Sequence, residues 1–470
     1  MRNRVLAAVP APTARGLSML RAEARRINRQ IPTLAPMSRE NFVSHYTGKR
    51  RERYQRASDD LGVRPLELPR EAAISAFVKS EKFSPEAKIN PDPRMIQSRN
   101  ARYNTEVGVY LKPIEHHLYR LKNDSGRPLL AKGKSMRQKG EIIADMWNSF
   151  KKPVAVSFDG SRWDQHISKQ VLEIEHSVYV TSIRDPWLKT LLKQQLVNKC
   201  RTQGGWKYVT NGRRMSGDMN TALGNCLLMV LMVRAFMREQ NIHGEIFDDG
   251  DDVLVFFEEK FLDQVLRTCH DTFLGFGQEV KVENVAHRLE DIVFCQSSPV
   301  IDNSGKYAMV ANWKKIISQS ASGTRYWQEE KTRADMGYSV GQCLLALYAG
   351  MPIIQTYAQR LCASGGVLNP EIYNTDWVFK LGREGERREL GTLAPEPITT
   401  ATRESFWKAY GIDPTQQVML EDMLDDWTLT TGTQDQPPEV LPGWALEYAP
   451  GMGPTAWEWY LTSYHSTLLK

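Results

Sequence analysis

Apolar residues run unbroken from Val253 to Phe257, and the polar break before them is Asp248-Asp249-Gly250-Asp251-Asp252, preceded by Phe247. Glycine at a break followed by a β-branched and aromatic run predicts a β-hairpin with Gly250 at its turn. Val154 to Phe158 predicts another short strand, ending in Asp159, with Asp164 five residues later. Ser216 to Asn225 is a small-residue loop opening a helix. The apolar run beyond it, Cys226 to Val233, stops at Arg234 and is too short to span a bilayer, so it predicts a buried core helix.

Elsewhere the pattern is coarser. A weakly amphipathic helix is expected from Ala14 to Arg29, broken by Pro32 and Pro36. Prolines 85, 91 and 93 keep residues 77–102 extended and looped. Residues 121–152 read as loop, then helix, ending at Pro153. From Phe261 a helix leads to a turn at Gly275 and Gly277, then a strand at Gln278–Glu283. Ile292–Gln296 and Tyr307–Val310 are expected to pair as a hairpin around Asp302–Gly305. Residues from Trp313 to about Asp413 read as mainly helical, with breaks at Pro352, Gly365-Gly366, Pro395 and Pro397.

Composition sharpens this picture in two places. Residues 1–70 hold 15 Lys and Arg against 6 Asp and Glu, whereas residues 416–470 hold 1 against 8. A basic front suits a polyanion partner, and a solvated arm accounts equally for residues 1–38. The six cysteines show no C-x-x-C spacing, which argues against zinc and fits a reducing compartment. No signal peptide is visible, so work at a membrane would need another protein.

The chemistry gathers around the carboxylates. Unpaired charges are costly beside a buried strand, and a divalent cation with hard oxygen ligands would neutralise them. Alone, Gly250-Asp251-Asp252 reads better as an acidic turn, until other residues join it. Glu115-His116-His117 is rejected as a metal site, because adjacent helical residues do not face one another.

Strand–Asp-x4-Asp, then Ser-Gly-x3-Thr-x3-Asn, then Gly-Asp-Asp, in that order, resembles the palm signature of viral RNA-dependent RNA polymerases. Ser161-Arg162-Trp163-Asp164-Gln165-His166 and Arg214-Met215-Ser216-Gly217-Asp218 are close to the tombusvirus-like wording. The resemblance is strongest from Phe42 to Val300. It implies an α+β right-hand polymerase, with fingers, a palm of antiparallel sheet and helices, and a thumb. It also implies that Asp159, Asp251 and Asp252 are catalytic ligands of two Mg²⁺ ions, which Mn²⁺ could replace. Asp164, Thr221 and Asn225 would line the pocket for the ribose 2′-hydroxyl, with Ser216 and Gly217 supplying a movable loop. Lys88, Arg94 and Arg99 would contact the nucleotide triphosphate in motif F, and Lys49, Arg50 and Arg51 the template in motif G. Lys281, then His287, are the candidates for protonating pyrophosphate in motif D, and Phe294-Cys295-Gln296 matches the primer grip. Asp248 and Asp249 depart from the more neutral residues usual before this glycine. They could add charge or accept hydrogen bonds at the strand end.

The expected division is an arm at 1–38, fingers at 39–153, a palm at 154–300 (with 165–215 partly fingers), a thumb at 301–415 and an acidic tail at 416–470. The implied activity is RNA-templated RNA synthesis replicating a positive-strand genome. Template and nascent RNA and ribonucleoside triphosphates would be its partners. A separate membrane-anchored viral replication protein would bring it to replication complexes in the host cytoplasm. A reverse transcriptase would carry a bulky aromatic where Asp164 stands, and a non-catalytic RNA-binding protein would not need three ordered carboxylate motifs.

Overall fold

Strand-forming runs buried on both faces build the centre of the chain. The computed structural model describes residues 1–79, 92–321, 326–327, 329–369 and 390–429. In chain order these form α1 (Ala14–Asn28), α2 (Arg39–Ser44), α3 (Gly48–Val63), β1 (Ile74–Val78), β2 (Met95–Ser98), α4 (Ala101–Leu118) and α5 (Met136–Trp147). Next come β3 (Pro153–Gly160), α6 (Trp163–His166), α7 (Lys169–Ser182), α8 (Pro186–Lys193), β4 (Val197–Thr202), β5 (Lys207–Asn211) and α9 (Thr221–Glu239). Then follow β6 (Gly244–Asp248), β7 (Asp252–Glu258), α10 (Leu262–Gly275), β8 (Val280–Ala286), β9 (Ser297–Ile301), β10 (Tyr307–Ala311), α11 (Trp313–Ser320), α12 (Glu330–Tyr348) and α13 (Ile354–Cys362). Helices Thr400–Tyr410 and Pro414–Asp425 close the described chain.

Two compact units result. The first comprises Met1–Ser80, Asp92–Lys132 and Ser149–Val285. Its central sheet runs β6-β7-β3-β8. Strand β7 is antiparallel to β3 from Pro153↔Glu258 to Asp159↔Asp252, and to β6 from Gly244↔Phe257 to Asp248↔Val253. Val154 to Phe158 and Val253 to Phe257 are all buried, as a sheet covered on both faces requires. Helix α9 is buried from Leu223 to Val233. It is long and apolar enough to cross a membrane, yet most of it lies inside this core, as a core helix would. A second sheet, β2-β1-β4-β5, joins segments far apart in sequence: β1 is antiparallel to β2 but parallel to β4.

Helix α1 has the expected bounds but is not a solvated arm. Leu20, Ala24 and Ile27 recur at helical spacing and are buried against α7 and α9. The residues before it are tied down as well. Asn3 Nδ2 donates to Asp92 Oδ1 at 3.0 Å, Arg162 Nη1 donates to the Asn3 carbonyl at 3.2 Å, and Arg213 Nη2 donates to the Ala7 carbonyl at 3.1 Å.

The second unit comprises Glu81–Pro91, Gly133–Asn148 and Ala286–Lys470, so the break in compactness falls inside the segment expected as palm. Its hairpin is displaced from the expected one. Strand β9 is Ser297–Ile301, paired with β10 from Ser297↔Ala311 to Ile301↔Tyr307. Cys295 and Gln296 have φ of 50° and 61°, so Phe294-Cys295-Gln296 forms a tight turn rather than a strand. The Asp302 side chain accepts from Ser304 N at 2.8 Å and sets the loop between β9 and β10. Helix Pro414–Asp425 starts at an Asp413 capping box, buries Leu420 and Leu424, and is paired through Glu421 to Arg403 at 2.7 Å. The acidic segment expected to begin at 416 is therefore packed helix over its first ten residues, and residues 430–470 lie outside the described chain.

Candidate active site

Adjacent strand ends bring the carboxylates together. Asp159 is the last residue but one of β3 and Asp252 begins β7, and the two are direct cross-strand partners. The turn from β6 into β7 needs glycine, because Gly250 has φ of 112°. Gly160 N donates to the Asp251 carbonyl at 3.4 Å, which holds the exposed Asp251 beside the end of β3. Burial, then Asp251, Asp159, Glu283 and Asp249, push the Asp252 carboxyl up to about 7. Glu283, on β8 next to β3, is pushed up by burial and then by Asp159. The sequence reading missed Glu283. Its signal was the alternation of 280–283, which puts Glu283 on the same strand face as Lys281.

Asp248 and Asp249 stand apart from this cluster, although Asp249 still adds to the raised value of Asp252. Asp248 is fully buried, and burial pushes its carboxyl well above the carboxylate range. Its backbone is bonded on both sides, to the Leu129 carbonyl at 3.0 Å and from Ala131 N at 2.8 Å. Asp249 is ion-paired with Lys132. Among the described residues no three His, Cys, Asp or Glu side chains converge closely enough to hold a metal ion. Asp159, Asp251 and Asp252 therefore present oxygens along two strand ends without a closed cage. The donor set still suits a hard divalent cation: it is all oxygen, and Asp251 and Asp159 both raise the proton affinity of Asp252.

A second cluster surrounds Asp164. Asn225 Nδ2 donates to Asp164 Oδ1 at 3.4 Å. Burial pushes the Asp164 carboxyl up to about 6, opposed by Arg214 and reinforced by Asp251. Thr221 lies one turn before Asn225, but its hydroxyl donates to the carbonyls of Met215 at 2.8 Å and Asp218 at 3.0 Å. It closes the loop at the start of α9.

That loop is stitched to β2. Gln97 N donates to Ser216 Oγ at 3.0 Å, and Gly217 N donates to the Gln97 carbonyl at 2.8 Å. Gly217 does not have positive φ. Its glycine is required by close approach, since a Cβ would lie 2.6 Å from Ser98 Cα and 2.8 Å from Gln97 O. The expected reason, unusual backbone angles, is thus replaced by a packing one.

Arg99 also departs from expectation. It is 2% exposed, ion-paired with Asp218, bonded to Asn198 and the Ala72 carbonyl, and stacked on Tyr103 at 5.1 Å. A guanidinium so engaged braces the loop of Ser216, with all its nitrogens directed at protein acceptors. Arg94 is exposed at the start of β2, and Lys88 lies outside the described residues. Lys49, Arg50 and Arg51 form an exposed basic start to α3, with Arg50 over the Tyr46 ring at 5.3 Å. His116 stacks near His45 at 4.8 Å, and burial, then His45, lowers its pKa, as for a packed residue.

Residues 1–432 match the family described as viral RNA dependent RNA polymerase. The chain is 36% identical to an RNA-directed RNA polymerase of Turnip crinkle virus, covering 89% of this chain and 54% of that protein. It is 36% identical to that of Melon necrotic spot virus over 93% of this chain and 56% of that protein, and 34% to that of Carnation mottle virus over 93% and 57%. The chain thus spans about half the length of these relatives. With a match over nearly its whole length and its carboxylates set at two paired strand ends, this chain belongs to the viral RNA-dependent RNA polymerase family.

Proposed function

We propose that this chain carries out template-directed RNA synthesis from ribonucleoside triphosphates, replicating a positive-strand viral genome. The observation that carries the reading is the cross-strand pair Asp159↔Asp252, with Asp251 in the turn between strands. These three residues would hold Mg²⁺, or Mn²⁺ in its place. Bound there, a metal pair would lower the basicity of the attacking 3′-oxygen and neutralise charge on the leaving pyrophosphate. The protein's own part would be to gather the three carboxylates at adjoining strand ends and to present Asp164 and Asn225 to the sugar. A pocket built to hydrogen-bond a hydroxyl rejects the deoxy analogue, whose absence would leave those groups unpaired.

Template and nascent RNA would run past the basic start of α3 and Arg94. Recruitment to membranes in the host cytoplasm we assign to a separate viral replication protein; the long apolar helix α9 lies mostly inside the core. The test is incorporation of labelled ribonucleotides on a defined RNA template with Mg²⁺, with and without primer. Folded protein that binds the RNA yet incorporates nothing under either condition refutes the reading.

A further inference from the structure

Behind Asn225 lies a buried polar chain that the proposed chemistry does not use. Arg214 Nε donates to Asn225 Oδ1 at 2.9 Å. The same guanidinium forks onto Glu175, with Nη1 to Oε1 at 3.1 Å and Nη2 to Oε2. Arg214 is 1% exposed and Glu175 0%. Glu175 also accepts from Asn220 Nδ2 at 2.7 Å and Tyr179 Oη at 2.9 Å, and Asn220 in turn accepts from Gln195 Nε2 at 2.9 Å. Every polar group of the pair is occupied, as a buried charge pair needs.

The chemistry of this chain fixes an orientation. A carboxamide can present either its oxygen or its nitrogen, and only its partners decide which. Arginine has five donors and no acceptor, so the Asn225 oxygen must face Arg214. Nδ2 is then directed at Asp164 Oδ1. The backbone N of Arg214 donates to the Asp164 carbonyl at 2.8 Å, so one residue holds both members of the sugar-contacting pair. Gly224 leaves the room: a Cβ there would collide with the Glu175 carboxylate and the Arg214 guanidinium.

We propose that Arg214, locked by Glu175, is the positioning residue that sets the Asn225 carboxamide and thereby the preference for ribose. The proposal rests on the polymerase reading above and adds to it a specificity element two layers from the nucleotide.

Arg214→Lys tests it. Lysine keeps a positive charge for Glu175 but lacks the planar fork that reaches Glu175 and Asn225 together. The ratio of ribonucleotide to deoxyribonucleotide incorporation is expected to fall about tenfold, the equivalent of one lost hydrogen bond. A merely structural role would lower the thermal midpoint, and both incorporation rates with it, while leaving the ratio at the parental value. An unchanged ratio in folded, active Arg214→Lys protein therefore overturns the inference. Should that variant not fold, the double variant Arg214→Met/Glu175→Leu removes both charges together, a change that buried pairs tolerate. A parental ratio in the double variant overturns the inference equally, and a fallen ratio supports it. No incorporation by the parent protein instead refutes the polymerase reading, and the inference falls with it.

Discussion

Asp159 and Asp252 face each other across an antiparallel pair whose next residues, Phe158 and Val253, are both buried. Asp159 raises the proton affinity of Asp252, and a cation between them would relieve that cost. Asp251→Asn would remove one of the proposed ligands without touching the buried strands. Elongation is expected to fall by roughly a thousandfold or more, the scale of several kcal/mol of charge stabilisation. RNA binding measured by filter retention should stay within about twofold of the parent, since it depends on basic residues elsewhere. Near-parental elongation by the folded variant would remove Asp251 from the metal site.

Asp164 provides a pH dependence. Its carboxyl titrates near 6 in the folded chain, against 3.8 for an unperturbed aspartate. The groups facing it are Arg214 and Asn225, which lower the value, and Asp251 and Asp218, which raise it. Because the folded value is the higher one, the native state holds this proton more tightly than the unfolded chain. The group's contribution to stability is thus greatest below the unfolded value and is lost as pH rises through 6. Denaturant unfolding across that window should show a shallower decline in Asp164→Asn than in the parent. Equal slopes in both proteins would contradict the assignment.

Arg94 and Arg99 are predicted to separate cleanly. Arg99→Ala leaves Asp218 buried without its partner, which costs about 3–5 kcal/mol. It should act on thermal stability before it acts on nucleotide affinity. Arg94→Ala, at an exposed position, should leave the melting midpoint unchanged and raise the nucleotide KM. Reversal of the two effects, seen by calorimetry and steady-state kinetics, would return Arg99 to the nucleotide path.

Arg99 also marks the limit of what the chain discloses before folding. Its basic neighbourhood read as a phosphate-contacting finger, but its partner Asp218 is 119 residues away and nothing local announces the pairing. Arg214 and Glu175, 39 residues apart, are hidden for the same reason. The hairpin and strand β3 were legible because their signals are local: a glycine at a sharp turn and runs of β-branched and aromatic residues. Helix α1 was legible in extent but not in placement. Its basic composition suggested solvent, whereas Leu20, Ala24 and Ile27 fill a core made by residues that come much later. Strand β9 was misplaced because Phe294 to Gln296 has strand-like composition, while two positive φ angles turn the chain there.

Gly217→Ala should be destabilising despite adding only a methyl group. The new carbon would press on the backbone of Gln97 and Ser98, which cannot yield as a flexible side chain would. Overpacking of this kind costs about 1–3 kcal/mol. Chemical denaturation should show the loss with an unchanged slope. Parental stability would mean that the loop relaxes away from β2.

The same contact has a mechanical consequence. Ser216 and Gly217 are joined to Gln97 by one hydrogen bond in each direction, and β2 continues through β1 into β4 and β5. The loop ahead of α9 is thus tied to the edge strand of the four-stranded sheet. Swinging the loop means either breaking both bonds or carrying the sheet edge along. A displacement of β2 would pull on Ser216 and Gly217, a few residues ahead of Thr221, where α9 begins.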